Sequence, residues 1–218
     1  RMSVYEEADL YGAAFSWPLD AEVDWLLGRF PRARTVLEPF CGNARYAPHF
    51  VGRGLGYHGL DLSAAMLARA PGGPGIHLHQ ADACDFRIPG VRFDLAWCPV
   101  NSIRHLVAEA AILAHLGRVR EHLAPGGAYV VELELVRLDG PWAWRPEHGG
   151  EWTQPLPDGG VVEARWRRES CDLGSRTCLE RARFRRVEGG RVVAEKTHAF
   201  TMRMWTYEDL LRLVASAG

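Results

Sequence analysis

Apolar and β-branched runs alternate with segments of helical periodicity over the first 135 residues. The apolar runs, bounded by turn residues, predict five strands, at 35–39, 57–61, 76–80, 93–98 and 128–135. Apolar residues at helical spacing predict helices at 20–30, 44–52, 63–70 and 104–123. Strands that alternate with helices form parallel sheets through right-handed crossovers. We therefore expect an α/β fold built on a doubly wound, mostly parallel sheet.

The pattern changes beyond residue 135. Segment 136–160 is rich in Trp, Pro and Gly and is expected to be a loop that acts as a lid. Strand-like alternation then returns, with a hairpin signal at Gly189-Gly190. The three segments that show it are 161–170, 177–187 and 191–205. They predict an appended three-stranded antiparallel sheet, and a last helix is expected at 206–216.

These elements suggest one domain spanning 1–218. Its expected parts are an N-terminal arm and helix at 1–34, a core at 35–135, the loop and antiparallel insertion at 136–205 and a last helix at 206–218. An apolar fraction of 47% and a charged fraction of 24% are typical of an ordinary globular protein. The formal net charge of -1 gives no overall attraction to nucleic acid or to an anionic membrane.

Neither a membrane span nor a leader is expected, because the chain has no apolar stretch near 20 residues and no charged-then-apolar start. The five cysteines are odd in number and scattered, without a C-x-x-C pair. This usage favours a reducing compartment, so we expect a cytoplasmic protein. Cys171 and Cys178 flank a predicted hairpin turn and can approach each other, but this compartment favours free thiols.

Three of the predicted strands stop at an acidic residue. Glu38 ends TVLE, Asp61 ends GYHGLD and Asp82 follows IHLHQA. In an open parallel sheet, ligands bind outside the carboxyl ends of the strands. The three acids are therefore expected to converge on one ligand.

From Thr35 onward the chain resembles the class I S-adenosylmethionine-dependent methyltransferases. The first motif of that family is an apolar strand, an acid and a glycine-rich turn, which TVLEPFCGNAR resembles. Glu38 has the acid position and Gly42 that of the central glycine, whereas Phe40 and Ala44 stand where glycines are usual. FDLAW and LAPGGAYVVEL resemble the fourth strand and the turn before the fifth. The resemblance implies a Rossmann-like sheet in the order 3-2-1-4-5 and S-adenosylmethionine as cofactor.

The same resemblance implies individual cofactor contacts. Asp61 is expected to accept hydrogen bonds from both ribose hydroxyls, because a carboxylate is an acceptor that can serve two donors. Leu62 and Met66 resemble residues that line the adenine, and Asp82 one that accepts from the adenine amino group. The full expected cofactor set is Tyr11, Glu38, Phe40, Gly42, Asp61, Leu62, Met66, Asp82, Ala83 and Cys98.

A dinucleotide-binding oxidoreductase is the main alternative for the cofactor. Such proteins share the strand, the glycine turn and the ribose acid, but need G-x-G-x-x-G to approach a pyrophosphate. The segment CGNARY does not supply that pattern. S-adenosylmethionine has no phosphate and tolerates a poorer glycine turn, so the methyl donor is favoured.

The expected catalytic residue is His105, in CPVNSIRHL. This segment resembles small-molecule N-methyltransferases, including those that modify amino sugars, which have a Ser-Ile pair followed by His-Leu. Asn101 and Ser102 are expected to face the methyl group. A surface His105 on a helix capped by Ser102 explains the segment as well. The expected acceptor pocket also includes Trp17, Trp144 and His198, although packing explains these residues too.

No metal is expected, since the two imidazoles of His77-x-His79 fall short of a ligand set.

Between Val161 and Trp205 there are 11 basic residues and 6 acidic ones. This surplus keeps a nucleic-acid methyltransferase open as an alternative, although interleaved glutamates do not favour it. A catalytically silent cofactor-binding or interaction domain, dimeric through the appended sheet, is the other alternative. We expect a small-molecule acceptor, with nitrogen favoured over oxygen. Family members continue into a C-terminal hairpin that is missing here, so we expect either a truncated chain or another element that covers the exposed edge of the fifth strand.

Overall fold

The computed structural model describes residues 5, 7–137 and 149–218. The chain divides into two compact units. The first comprises Pro18–Glu134 with Glu208–Gly218, and the second comprises Arg1–Trp17 with Leu135–Tyr207. Each is described by itself, and the expectation of a single domain stays a prediction.

The first unit is built on a five-stranded parallel sheet in the order β3-β2-β1-β4-β5. This confirms both the α/β class and the expected strand order. The strands are β1 Thr35–Pro39, β2 Gly56–Asp61, β3 Ile76–Gln80, β4 Phe93–Cys98 and β5 Leu123–Val131. β5 begins five residues before the predicted start and includes the Pro125-Gly126-Gly127 segment. Its register with β4 jumps between Leu123 and Ala128, so the glycines form an irregularity within the strand.

Except for the last one, which has the predicted length, the helices of this unit are shorter than predicted. They are α2 Asp20–Arg29, α3 Ala47–Val51, α4 Ala64–Leu67, α5 Glu109–His122 and α6 Tyr207–Ala217, the last beginning one residue before the unit boundary. The prediction that a helix starts at Ala44 was wrong, because Ala44 has a φ of 50°, which an α-helix does not allow. The predicted helix 104–123 was also wrong at its start. A 3-10 helix covers Ser102–His105, and Ala108 is extended (ψ 138°) before α5 begins.

The core of the first unit lies between the sheet and α5. β1 is buried along four of its five positions, as expected for a strand covered on both faces. Leu37 of β1 and Leu60 of β2 belong to one apolar cluster with Phe86, Phe93 and Val119. Burying one such side chain contributes about 1.5–3 kcal/mol. The cluster therefore holds the strand ends, and the loops after them, in a defined arrangement.

The second unit combines α1 (Ala8–Ala14) with an antiparallel sheet. Its strands, in spatial order, are β6 Gly149–Pro155, β7 Val161–Asp172, β8 Thr177–Glu188 and β9 Arg191–Arg203. The expected three-stranded sheet was wrong by one strand, because β6 pairs with β7 along its whole length. Gly149, Gly150 and Pro155 gave β6 the composition of a loop, yet an edge strand tolerates such residues.

Aromatic contacts join α1 to this sheet. The Trp152 indole donates from Nε1 to the carbonyl of Ala14 over 2.6 Å. Phe15 packs edge-on against Trp152, with ring centroids 5.4 Å apart, and Tyr11 packs against Phe184 at 6.0 Å. The aromatic opening of the sequence is thus a short helix seated on the sheet.

Cys171 and Cys178 form a disulfide in the second unit. The expectation of free thiols was wrong. The two cysteines are directly opposite each other in β7 and β8, with Cα atoms 4.1 Å apart. Cys178 is fully buried beside Val136 and Met204. Cross-strand pairing, which depends on the register of the hairpin, brings the two sulfurs together.

Candidate active site

The acids that end β1 and β2, and the one that follows β3, lie at the carboxyl edge of the parallel sheet. Glu38 and Asp61 are on adjacent strands, since β1 pairs with β2. Glu38 is 1% exposed, Asp61 is half-buried and Asp82 is exposed. The three carboxylates therefore have different surroundings and different chemical uses.

Both carboxylate oxygens of Asp61 are oriented by the backbone. Oδ2 accepts from the N–H of Gly42 over 2.8 Å, and Oδ1 accepts from the N–H of Ser63 over 2.8 Å. Burial raises the pKa of Asp61, while these hydrogen bonds counteract the rise. The backbone of Leu62 also bonds this carboxylate, and a carboxylate has about four acceptor sites, so it is not saturated by the backbone. The side chain can thus accept hydrogen bonds from a ligand with two neighbouring hydroxyl groups.

The turn after β1 has the positive φ values that are typical of glycine, although few of its residues are glycines. Phe40, Gly42 and Ala44 have φ values of 59°, 56° and 50°. Non-glycine residues in this left-handed region cost about 1–2 kcal/mol each. A Cβ on Gly42 would lie 3.0 Å from Cε of Met66, so the missing side chain leaves a cradle above that methionine. The Phe40 ring lies 5.1 Å from the ring of His115, at the edge of the core.

A buried hydrogen bond joins Glu38 to β2. The Tyr57 hydroxyl donates to Oε2 of Glu38 over 2.6 Å. Burial raises the pKa of Glu38 to about 8, because the charged carboxylate is poorly solvated there. A Cβ on Gly59 would lie 2.8 Å from both the Tyr57 hydroxyl and Sγ of Cys41. Tyr57 and Gly59 were not predicted from the sequence, because their roles depend on pairing across the strands.

His115 supports the segment that carries Asp82 and Ala83. Its Nδ1 lies 2.9 Å from the Ala83 carbonyl, and its Nε2 lies 2.7 Å from the Tyr129 hydroxyl. Burial lowers the pKa of His115 to about 4, so the ring is neutral at pH 7. It then donates to Ala83 and accepts from Tyr129. His115 was also missed, although its helical spacing from Ile112 and Val119 on α5 was a signal that it faces the core.

Asp82 itself orders the start of this segment. Its Oδ1 accepts from the backbone N–H of Cys84 over 2.8 Å. Of the two residues expected to line an adenine, Met66 is fully buried and Leu62 is 69% exposed. Ser63 caps α4 by accepting from the N–H of Met66, as predicted.

The loop after β4 is tightly bonded. Val100 and Asn101 both have left-handed backbones, with φ of 56° and 59°. The Asn101 side-chain oxygen accepts from the N–H of Glu134, and the Ser102 hydroxyl donates to the carbonyl of Pro99 over 2.8 Å. His105 ends the 3-10 helix and is half-buried. These bonds fix the direction in which the 3-10 helix leaves the sheet.

The remaining candidates have simpler surroundings. Cys98 at the end of β4 is fully buried, which raises the pKa of its thiol to about 12. Tyr11, Trp17 and His198 belong to the second unit. The Trp17 ring lies 5.1 Å from that of Phe15, and His198 is half-buried on β9 opposite Ala182. The predicted pocket residue Trp144 lies outside the described residues.

Residues 36–127 match the family model described as a methyltransferase domain. This segment is similar to the methyltransferase domain. The matched segment contains the three strand-end acids, the turn around Gly42 and the loop with His105. It is therefore the part of the chain that carries the candidate site.

Similar proteins include enzymes named for amino-sugar methylation. A dTDP-3-amino-3,6-dideoxy-alpha-D-glucopyranose N,N-dimethyltransferase of Streptomyces fradiae is 36% identical over 135 residues, 62% of this chain and 48% of the relative. The SAM-bound structure of CalS10, an amino pentose methyltransferase from Micromonospora echinaspora, has a TM-score of 0.77 and 26% identity. The match covers 100% of this chain and 89% of the other. Streptomyces venezuelae DesVI shares the fold, with a TM-score of 0.81, 23% identity and coverage of 100% and 91%.

The chain spans about half the length of the curated relatives it matches, between 48% and 58%. Among the described residues, no helix is long and apolar enough to cross a membrane.

Proposed function

We propose that this protein transfers a methyl group from S-adenosylmethionine to the amino nitrogen of a small molecule. One observation carries the proposal: Asp61 accepts from Gly42 and from Ser63, and so presents an oriented carboxylate at the edge of the sheet. The ribose of the cofactor has two adjacent hydroxyls, which suit the remaining acceptor capacity of this carboxylate.

The residues of the site fit this cofactor. Asp61 would hold the ribose, Asp82 and Ala83 the adenine amino group, and the cradle above Met66 the part of the cofactor nearest Gly42. Gly42 leaves room because it lacks a Cβ, and Asp61 in turn fixes its N–H. When bound, the sulfonium supplies an already activated methyl group, whose carbon–sulfur bond breaks as the bond to nitrogen forms. The chain's own task is then to position the acceptor in line with that bond.

We propose an amino sugar carried on a nucleoside diphosphate as the acceptor class. The support comes from relatives named as dTDP-amino-sugar N,N-dimethyltransferases, which match 57–66% of this chain. An amine is also a better nucleophile at neutral pH than a hydroxyl group. Oxygen acceptors remain the second choice.

His105 is the proposed general base that removes the proton of the acceptor amine. It ends a 3-10 helix whose direction is fixed by the bonds of Asn101 and Ser102. Asn101, Ser102, Trp17, Trp144 and His198 are the proposed acceptor contacts. We expect His105→Ala to lower kcat by about 100-fold or more while the affinity for S-adenosylhomocysteine is unchanged. Unchanged turnover would remove His105 from the mechanism.

The nucleic-acid alternative is not favoured by the charges of the antiparallel sheet. Arg165 pairs with Glu151 at 2.9 Å. Arg185 pairs with Glu163 at 3.2 Å and with Glu195 at 3.3 Å. Arg165 and Arg185 are therefore already engaged by carboxylates of the same sheet, which makes them less available to bind phosphates.

A cytoplasmic location and a homodimer are further parts of the proposal. The cytoplasmic location rests on the three free thiols among the five cysteines, which suit a reducing compartment, and it requires that the Cys171–Cys178 disulfide persist there. β9 is an edge strand with exposed Val192 and Val193, which offers a surface for pairing. Light scattering of the purified protein and fractionation of the producing cells test the two statements separately.

The decisive experiment combines binding and transfer. Titration with S-adenosylhomocysteine should release or absorb heat, and the tritiated methyl group should enter nucleotide-linked amino sugars but not matched analogues with a hydroxyl in place of the amine. Absence of both binding heat and thermal shift would reject the cofactor. Binding without transfer to any acceptor would instead support a catalytically silent domain.

A further inference from the structure

Three histidines meet on one face of the parallel sheet. His58 of β2 and His77 of β3 are register partners, and His79 lies two residues further along β3. Alternate residues of a strand point to the same face, so all three side chains share it. Nδ1 of His58 lies 3.1 Å from Nε2 of His79. The His58 ring centroid is 4.5 Å from that of His77 and 5.4 Å from that of His79.

This cluster is open to water on one side. β3 is the edge strand, and no helix is described between β3 and β4. Phe93 packs edge-on against His58 at 5.1 Å and closes the inner side. His58 and His79 are half-buried, and His77 is exposed. The rings are thus held at an accessible place with an apolar wall behind them.

The distances suit metal coordination. Imidazole nitrogens bind Zn²⁺ at about 2.0–2.1 Å, so two of them on a tetrahedral ion are about 3.3 Å apart. The 3.1 Å between the His58 and His79 nitrogens is close to that value. A neutral imidazole has the lone pair that a metal needs.

We propose that His58, His77 and His79 bind one divalent transition-metal ion of the zinc type, with water as the fourth ligand. Three histidines and a water are an established zinc ligand set. In the described parts of the chain, no group of three or more His, Cys, Asp or Glu side chains can hold a metal ion in the positions they occupy. Metal binding therefore requires the exposed His77 ring to turn, and a metal replaces the contact between His58 and His79. The ion would cross-link the edge strand to its neighbour and takes no part in methyl transfer.

The test uses the full chain without a histidine tag and Zn²⁺ alone as the probe. Calorimetry should show one ion bound per chain, with a rise in Tm on adding Zn²⁺. His77→Ala should weaken binding at least about tenfold and abolish the rise in Tm. His58→Ala and His79→Ala should do the same. The matched control is His49→Ala, because His49 bonds Asp20 outside the cluster, and it should bind Zn²⁺ like the parent.

His77 is exposed, so its replacement leaves the fold intact, and circular dichroism checks this. The affinity of His77→Ala for S-adenosylhomocysteine should equal that of the parent, which separates this site from the cofactor site. Equal Zn²⁺ affinities of His77→Ala and His49→Ala would overturn the proposal. So would the absence of saturable binding to the parent protein.

Discussion

The backbone N–H of Gly42 lies 2.8 Å from Oδ2 of Asp61, although the two residues are 19 positions apart. This bond connects the turn after β1 to the end of β2. It orients the carboxylate and fixes the turn with one contact. Both properties serve a ligand that spans the two strands, and either residue can be changed separately.

Asp61→Asn should weaken binding of S-adenosylhomocysteine by at least about tenfold. The amide keeps one acceptor oxygen but replaces the other with a donor, which cannot accept from a ribose hydroxyl and repels a backbone N–H. Isothermal titration measures the change. Asp24→Asn is the matched control, because this exposed carboxylate pairs with Arg53 and its replacement should leave binding unchanged. Equal affinities of the two variants would remove Asp61 from the cofactor site.

Gly42→Ala should reduce both stability and cofactor affinity. The backbone φ of 56° at position 42 is unfavourable for alanine. The added Cβ would also lie 3.0 Å from Cε of Met66. Gly54→Ala separates these effects, since Gly54 has a φ of 84° but no heavy atom within 4 Å of an added Cβ. We expect the control to lose about 1–2 kcal/mol in urea unfolding and to keep its affinity. If Gly42→Ala binds S-adenosylhomocysteine as tightly as the parent, the proposal that the cradle above Met66 holds the cofactor is wrong.

Glu38 should make stability fall as the pH rises. Its pKa is raised to about 8 in the folded protein from 4.5, so the folded state retains a proton that the unfolded chain releases. The resulting stabilisation is complete below pH 4.5 and is lost as the pH rises through 8, at about 1.4 kcal/mol per pH unit within that window. Glu38→Gln cannot ionise. Its unfolding free energy relative to the parent should therefore increase from pH 5 to pH 8, and a constant difference would contradict the buried proton.

The Cys171–Cys178 disulfide predicts how many free thiols can be titrated before and after reduction. The chain has five cysteines, and the bond leaves Cys41, Cys84 and Cys98 free. Protein unfolded without reductant should therefore titrate as three thiols, and after reduction as five. Cys84→Ser should titrate as two without reductant, which serves as the control. Cys171→Ser should lose about 2 kcal/mol of stability, because the bond closes a short loop. Five thiols before reduction would show that the bond does not form.

Local patterns in the sequence were sufficient to predict the strands of the parallel sheet. β1, β3 and β4 begin and end where the apolar runs do, because a buried parallel strand is apolar along its length and is bounded by turn residues. Helix ends were less predictable. Ala44 does not look like a helix breaker, and its left-handed backbone comes from the bonds of the turn around it.

The strand-end acids were also visible in the sequence, because the rule that ligands bind at the carboxyl edge needs only the strand boundaries. Their surroundings were not. Glu38 is buried and accepts a hydrogen bond from Tyr57, whereas Asp82 is exposed. These surroundings depend on contacts between residues far apart in the chain.

The sequence by itself thus determined the strand pattern, the methyltransferase resemblance and the positions of the three acids, because each rests on neighbouring residues. Only the tertiary structure decided that β6 completes a four-stranded sheet and that Cys171 meets Cys178. It also brought His58 beside His77 and His79. The physical reason is register: pairing between strands is set by packing across the whole sheet, and one residue of slip would turn each side chain to the opposite face.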